Sequence, residues 1–191
     1  AMTLTVNINE LGPFTDEQFV RFCSANDTLR IERDADGHLI LMAPSGTWTG
    51  FRNARVLYGL LRWNEKHNAG YVFDSSAGFQ LANGAMRAPD AAWISHERWA
   101  TVPEGQRETF APVCPDVVVE VLSPSDSLAD TKRKMAEWMA NGCRLAWLIA
   151  PKQRTAIAYR AGEEPQPLTF DDALDGGEVM PGFRYELNDL P

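Results

Sequence analysis

The sequence predicts an α/β (α+β) fold with a mixed central β-sheet flanked by helices, and three observations carry this. Residues 116–122 form an almost wholly apolar run bounded by Pro115 and Pro124, the pattern of a central strand buried on both faces. A second buried run follows at 145–149. Before and between these runs, apolar residues recur at helical spacing. With 191 residues and 45% apolar content, the chain can build one proper core. Residues 2–191 read as a single domain; Ala1, ahead of Met2, reads as a tag remnant and is set aside.

Each element has a local reason. Thr15 or Asp16 can cap a helix running to about residue 24, with Phe19, Val20, Phe22 and Cys23 at roughly helical spacing. Residues 29–33 alternate like a strand, Asp36-Gly37 signals a turn, and 38–42 return as a hairpin. Pro44, Gly46 and Gly50 mark a loop. A long amphipathic helix is expected over 52–66, with Val56, Leu57, Leu60 and Leu61 on one face. Short strands are expected at 71–73, 79–81 and 91–94, with a turn at Asn83-Gly84. Residues 95–110 are polar and broken by proline, so they read as irregular with one short helix. Ser125 or Asp126 can cap a helix reaching about Asn141, where Gly142 stops it. Residues 155–159 pair with 145–149 through a turn, and 178–187 supply an edge strand.

Composition excludes several classes. No stretch approaches the roughly 20 apolar residues that span a membrane, and the N-terminus lacks a basic region followed by an apolar one. Cys23, Cys114 and Cys143 are odd in number and widely spaced, so they read as free thiols of a cytoplasmic protein. His38, His67 and His96 are scattered and suggest no histidine metal site. Net charge is −8 and the pI about 4.9, which argues against a basic shell gripping phosphates and leaves room only for a local basic groove.

The chemistry concentrates in two carboxylates. Glu120 lies within the most apolar strand, and a buried ionised carboxylate costs several kcal/mol unless something compensates it. Asp90 follows a proline and immediately precedes another apolar strand. Carboxylates on neighbouring strands can meet at one sheet edge and hold Mg2+ through oxygen ligands, leaving positions for water and phosphate. A lysine is the usual third partner. Two residues after the glutamate, its commonest place, this chain has Leu122. Lys132 and Lys134 lie on the following helix, at opposite edges of the stripe formed by Leu128, Met135, Trp138 and Met139. Periodicity leaves the choice between them open.

An ordered series of motifs then adds a resemblance over about residues 32–159. The pieces are Gly37 to Pro44, Thr49-Gly50 with Arg52-Asn53, and Val72-Phe73-Asp74-Ser75-Ser76 with Gly78-Phe79. They continue with Pro89-Asp90, Glu120-Val121-Leu122-Ser123-Pro124-Ser125-Asp126-Ser127-Leu128, Lys134-Met135, Glu137-Trp138, Asn141-Gly142 and Trp147-Leu148-Ile149. The chain resembles the Uma-type restriction endonucleases of the PD-(D/E)xK nuclease superfamily. The resemblance implies a restriction-endonuclease-like core and an Mg2+ (or Mn2+)-dependent endonuclease acting on DNA. It implies Asp90 and Glu120 as metal-binding acids and a catalytic lysine that has migrated to the helix, at Lys134. Glu32 matches an N-terminal glutamate of the family that completes the site, and the Val121 backbone carbonyl is a further candidate ligand. Ala150 stands where the family usually has aspartate, and Thr47-Trp48 replace a usual glycine. Two cuts in a duplex generally need two sites, so a homodimer is expected, with the C-terminal edge and the six tryptophans as interface material. Two alternatives stay open: a catalytically inactive binding or scaffold module, and a hydrolase of small phosphoesters.

Overall fold

The computed structural model describes residues 3–191; Ala1 and Met2 lie outside the described residues. Strand β1 (Thr3–Val6) comes first, followed by helix α1 (Asp16–Ala25). Thr15 caps α1 through a reciprocal pair with Gln18, which satisfies two otherwise orphaned N–H groups. Strands β2 (Arg30–Arg33) and β3 (Leu39–Met42) form the expected hairpin. Helix α2 (Thr47–His67) begins five residues earlier than its apolar pattern suggests. Gly50, read as part of a loop, lies within its first turn, and the buried face is Thr49, Val56, Leu60 and Trp63, while Leu61 is exposed.

Four short strands follow: β4 (Gly70–Phe73), β5 (Phe79–Gln80), β6 (Met86–Arg87) and β7 (Ala91–Ser95). A single helical turn, α3 (His96–Trp99), opens the irregular segment. Strand β8 (Val117–Val121) leads to α4 (Leu128–Ala140), then β9 (Leu145–Ala150) and β10 (Thr155–Arg160). Ser127 caps α4, not Ser125 or Asp126, because its hydroxyl reaches the N–H of Asp130. Strands β11 (Gln166–Thr169), β12 (Ala173–Asp175) and β13 (Arg184–Glu186) complete the chain.

The central sheet is mixed, in the order β11-β10-β9-β8-β7-β4, with β8 and β9 parallel and the other neighbours antiparallel. A second, antiparallel sheet runs β1-β3-β2-β6-β5. The expected C-terminal edge strand is β13, but it pairs with β12 in its own two-stranded sheet; β11 forms the edge instead. All of β8 is buried, and its alternation decides what each side chain meets. Val117, Val119 and Val121 face α2 and the C-terminal segment, while Val118 and Glu120 face α4. Of the six tryptophans only Trp48 is largely exposed; Trp63, Trp93, Trp138 and Trp147 are core residues. No helix among the described residues is long and apolar enough to cross a membrane.

Leu148 sits fully buried on β9, against the α4 side of the sheet. Leu148→Ala is expected to lower unfolding free energy by about 2–5 kcal/mol through lost transfer energy and a residual cavity. Urea denaturation followed by far-UV circular dichroism measures it, and a change below about 0.5 kcal/mol would contradict this packing.

Candidate active site

Register sets the two acids against each other. In the β7–β8 pair Ala91 lies opposite Val119, and the next step of that register brings Asp90 opposite Glu120. The Val121 N–H donates to Asp90 Oδ2 at 2.8 Å, so the two segments are tied where the acids stand. Pro89 holds the approach to β7 extended.

Helix α4 brings the lysine. Lys134 and Trp138 are four residues apart and share one helix face. Lys134 Nζ lies 2.8 Å from Glu120 Oε1, and Trp138 Nε1 donates to the same oxygen at 3.2 Å. The same ammonium lies 2.8 Å from Glu32 Oε1. Lys132, the other candidate, is exposed.

Glu32 is the least exposed of the four, at 2%. The even residues of β2 face the central sheet, while Ile31 and Arg33 pack on Phe19 of α1. Glu32 Oε1 also accepts from the Ala88 N–H at 3.0 Å, and Arg87 Nη1 lies 3.2 Å from its Oε2. Arg87 continues to Glu137 of α4, 2.5 Å from Nε.

Three supporting residues carry no assignment from sequence. Arg30 Nη1 lies 3.3 Å from Asp90 Oδ1, Asn53 Nδ2 donates to the same oxygen at 3.2 Å, and Arg87 joins Glu32 to Glu137. Asn53 and Arg87 sit in or beside motif pieces without visible roles. Arg30 was legible, since a period of two puts it on the face of Glu32.

The ion pairs form two neighbouring sets, Arg30 with Asp90, and Lys134 and Arg87 with three acids, Glu32, Glu120 and Glu137. The surplus negative charge settles unevenly. Burial alone would raise the Glu32 carboxyl, but Lys134 and Arg87, with the Ala88 N–H, bring it down to about 2. Burial pushes the Glu120 carboxyl up to about 7; Lys134 opposes the rise and Asp90 adds to it. Burial also disfavours the Lys134 ammonium, yet Glu120 and Glu32 hold its pKa above the ordinary value.

Asp90, Glu120, Glu32, Lys134, Arg30 and Val121 all line one cavity of about 750 Å³. The donor set suits a hard divalent cation. Among the described residues Glu120 Oε2 takes no hydrogen bond, and Asp90 Oδ2 accepts only the Val121 N–H. Two carboxylate oxygens therefore keep lone pairs, beside a cluster one positive charge short of neutral. Asp34, Asp36 and His38 also lie together, but in the β2–β3 turn, where Asp34 accepts the N–H groups of Asp36 and His38.

A family profile described as "Putative restriction endonuclease" (Uma2) matches residues 16–188. Among solved structures, the chain is similar to "a putative nuclease belonging to DUF820" from Anabaena variabilis, with a TM-score of 0.74 and 16% identity. The match covers 93% of this chain and 97% of that one. No curated protein matches.

Two outcomes follow from the charge set. Lys134→Met leaves two buried carboxylates without their shared cation, so a loss of about 3–5 kcal/mol is expected; exposed Lys132→Met should stay within about 0.5 kcal/mol. Equilibrium urea unfolding compares them. For pH, the folded Glu120 carboxyl titrates near 7 and an ordinary one near 4.5, so the folded state holds the extra proton between these values. Its contribution is fully present below 4.5 and lost as pH rises through 7. Metal-free wild type should therefore lose stability relative to Glu120→Gln across that window, whereas the Glu32 contribution is lost only as pH falls from 4.5 toward 2.

Proposed function

The chain belongs to the Uma2 family, and on that premise we propose that it is a divalent-metal-dependent endonuclease hydrolysing DNA phosphodiester bonds. Asp90 and Glu120 are the proposed ligands for Mg2+ or Mn2+, with the Val121 carbonyl as a further one, and Lys134 is the proposed catalytic lysine. The observation that carries the reading is the convergence of these groups on one cavity with carboxylate lone pairs still open.

When bound, such a cation supplies Lewis acidity, making water a stronger acid and neutralising charge that gathers on phosphate. The residues of the chain do the rest. Asp90 is fixed by Arg30, Asn53 and the Val121 N–H, so its orientation is set before any substrate arrives. Lys134 keeps a positive charge beside Glu120, where it can orient an attacking water or a phosphate oxygen. Glu32 anchors that lysine from the second sheet and positions it without touching the reacting atoms. Cutting one strand takes one such site; cutting both strands of a duplex would take two, as in a homodimer.

The test is cleavage of several nucleic-acid substrates with Mg2+ or Mn2+, beside EDTA and Glu120→Gln controls. Cleavage requiring the cation and lost in Glu120→Gln is expected. A thermal shift gives an independent readout, because a ligand bound only by the folded state stabilises it by mass action. Mn2+ should raise Tm for wild type and not for Glu120→Gln. Because Glu120 would have to be ionised to hold the cation, apparent affinity should climb up to about pH 7 and level off above it. Tm unmoved by either metal, with no cleavage, would favour the non-catalytic binding module.

A further inference from the structure

Helix α2 carries a surface unlike the rest of the chain. At spacings of three and four, its outward stripe reads Trp48, Phe51, Arg52, Arg55, Tyr58 and Arg62. The helix holds four basic residues (Arg52, Arg55, Arg62, Lys66) against one acid, Glu65, a net of +3. The whole chain carries −8, which leaves −11 for everything else.

The aromatic rings are open to solvent. Trp48 is 61% exposed and Tyr58 58%, with Phe51 close behind. Trp48 and Phe51 meet edge to face at 5.4 Å, and the Arg52 guanidinium lies 5.8 Å from the Trp48 ring centre. Arg52 also donates to the Pro191 carbonyl, which holds it in place. The stripe starts beside the candidate site, since Thr49 lines the cavity and Asn53 bonds Asp90. From Trp48 to Arg62 it runs roughly 21 Å, at 1.5 Å per residue.

We propose that this face of α2 is a platform for single-stranded nucleic acid, with unpaired bases stacking on Trp48 and Phe51 and phosphates lying along Arg55 and Arg62. The inference rests on the nuclease reading and names its substrate class. Charge selects a polyanion, because the one strongly positive element stands on an otherwise acidic chain. The rings select unpaired bases. In a duplex the π-faces of the bases are already stacked on each other, and exposed indole and phenyl groups would meet phosphates and water instead. A second copy of the chain fits poorly, because a two-fold contact through this face would set two helices of +3 against each other.

The experiment titrates a fluorescently labelled twelve-residue oligothymidine and, separately, a labelled twelve-base-pair duplex with the full chain in EDTA, reading affinity of wild type and variants by fluorescence anisotropy and, for wild type, tryptophan quenching as well. Trp48 is the one largely exposed tryptophan, so quenching reports on this face. Oligothymidine should quench and bind at least tenfold more tightly than the duplex, and the double variant Trp48→Ala with Phe51→Ala should lose about tenfold or more of that affinity. Arg55→Ala with Arg62→Ala should weaken binding and flatten its salt dependence. Both pairs are exposed, so unchanged near-UV circular dichroism apart from the Trp48 signal verifies folding. Equal affinity for duplex, unchanged binding by the aromatic variant, or a wild-type dimer dissociated by Trp48→Ala overturns the platform. Cleavage with Mg2+ or Mn2+ separates the two readings. A duplex cut while oligothymidine is neither bound nor cut keeps the nuclease and removes the platform. Oligothymidine bound through Trp48 with nothing cut keeps the platform and removes the nuclease.

Discussion

The ammonium of Lys134, held between Glu32 and Glu120, is the interaction on which the rest of the site depends. It joins three parts of the fold at one atom. Glu120 belongs to the mixed central sheet, Glu32 to the antiparallel sheet, and Lys134 to the helix linking β8 and β9. All three charges are largely out of water, so each would be costly alone. A buried lysine with two acids at 2.8 Å is stabilised, but the acids are not both stabilised equally. Glu32 also receives Arg87 and a backbone N–H, whereas Glu120 receives an indole N–H and faces Asp90.

That asymmetry gives two similar buried carboxylates different charge states. Glu32, held near 2, is an ionised anchor at every ordinary pH. Glu120, pushed up to about 7, is poised between protonated and ionised, and the cluster has no further cation to settle it. A hydrophobic replacement of the whole cluster would fold at least as well in principle, since buried ion pairs are a weak source of stability. An uncompensated charge beside an open cavity is instead the pattern that ligand-binding sites show.

Much of this was legible in the sequence, and the misses share a cause. The core strands and α4 follow from long apolar runs and helical periodicity. The start of α2 was misplaced because Gly46 and Gly50 mimic a loop, yet Gly46 caps the helix and Gly50 is carried inside it by packing around Thr49 and Val56. The C-terminal edge strand pairs with the nearby β12 and not with the central sheet, because the composition of a short strand does not say which partner it takes. Glu32 entered through the resemblance and not through alternation, since period two gives two faces without saying that both are covered. Asn53 and Arg87 have no local signal, because their partners lie 37 and 55 residues away, whereas alternation alone places Arg30 on the face of Glu32.

The absence of a lysine at position 122 follows from the same geometry. Residue 122 shares a face with Glu120 and Val118, and Leu122 is buried in the cluster with Met135, Trp138 and Leu148. An ammonium there would sit among apolar groups, near Glu120 but on the central sheet alone. Placed on α4 instead, it approaches from above the sheet and reaches the second sheet through Glu32 as well. The helix position thus lets one cation serve two acids, leaves the strand free to be apolar, and ties the site geometry to the docking of both sheets.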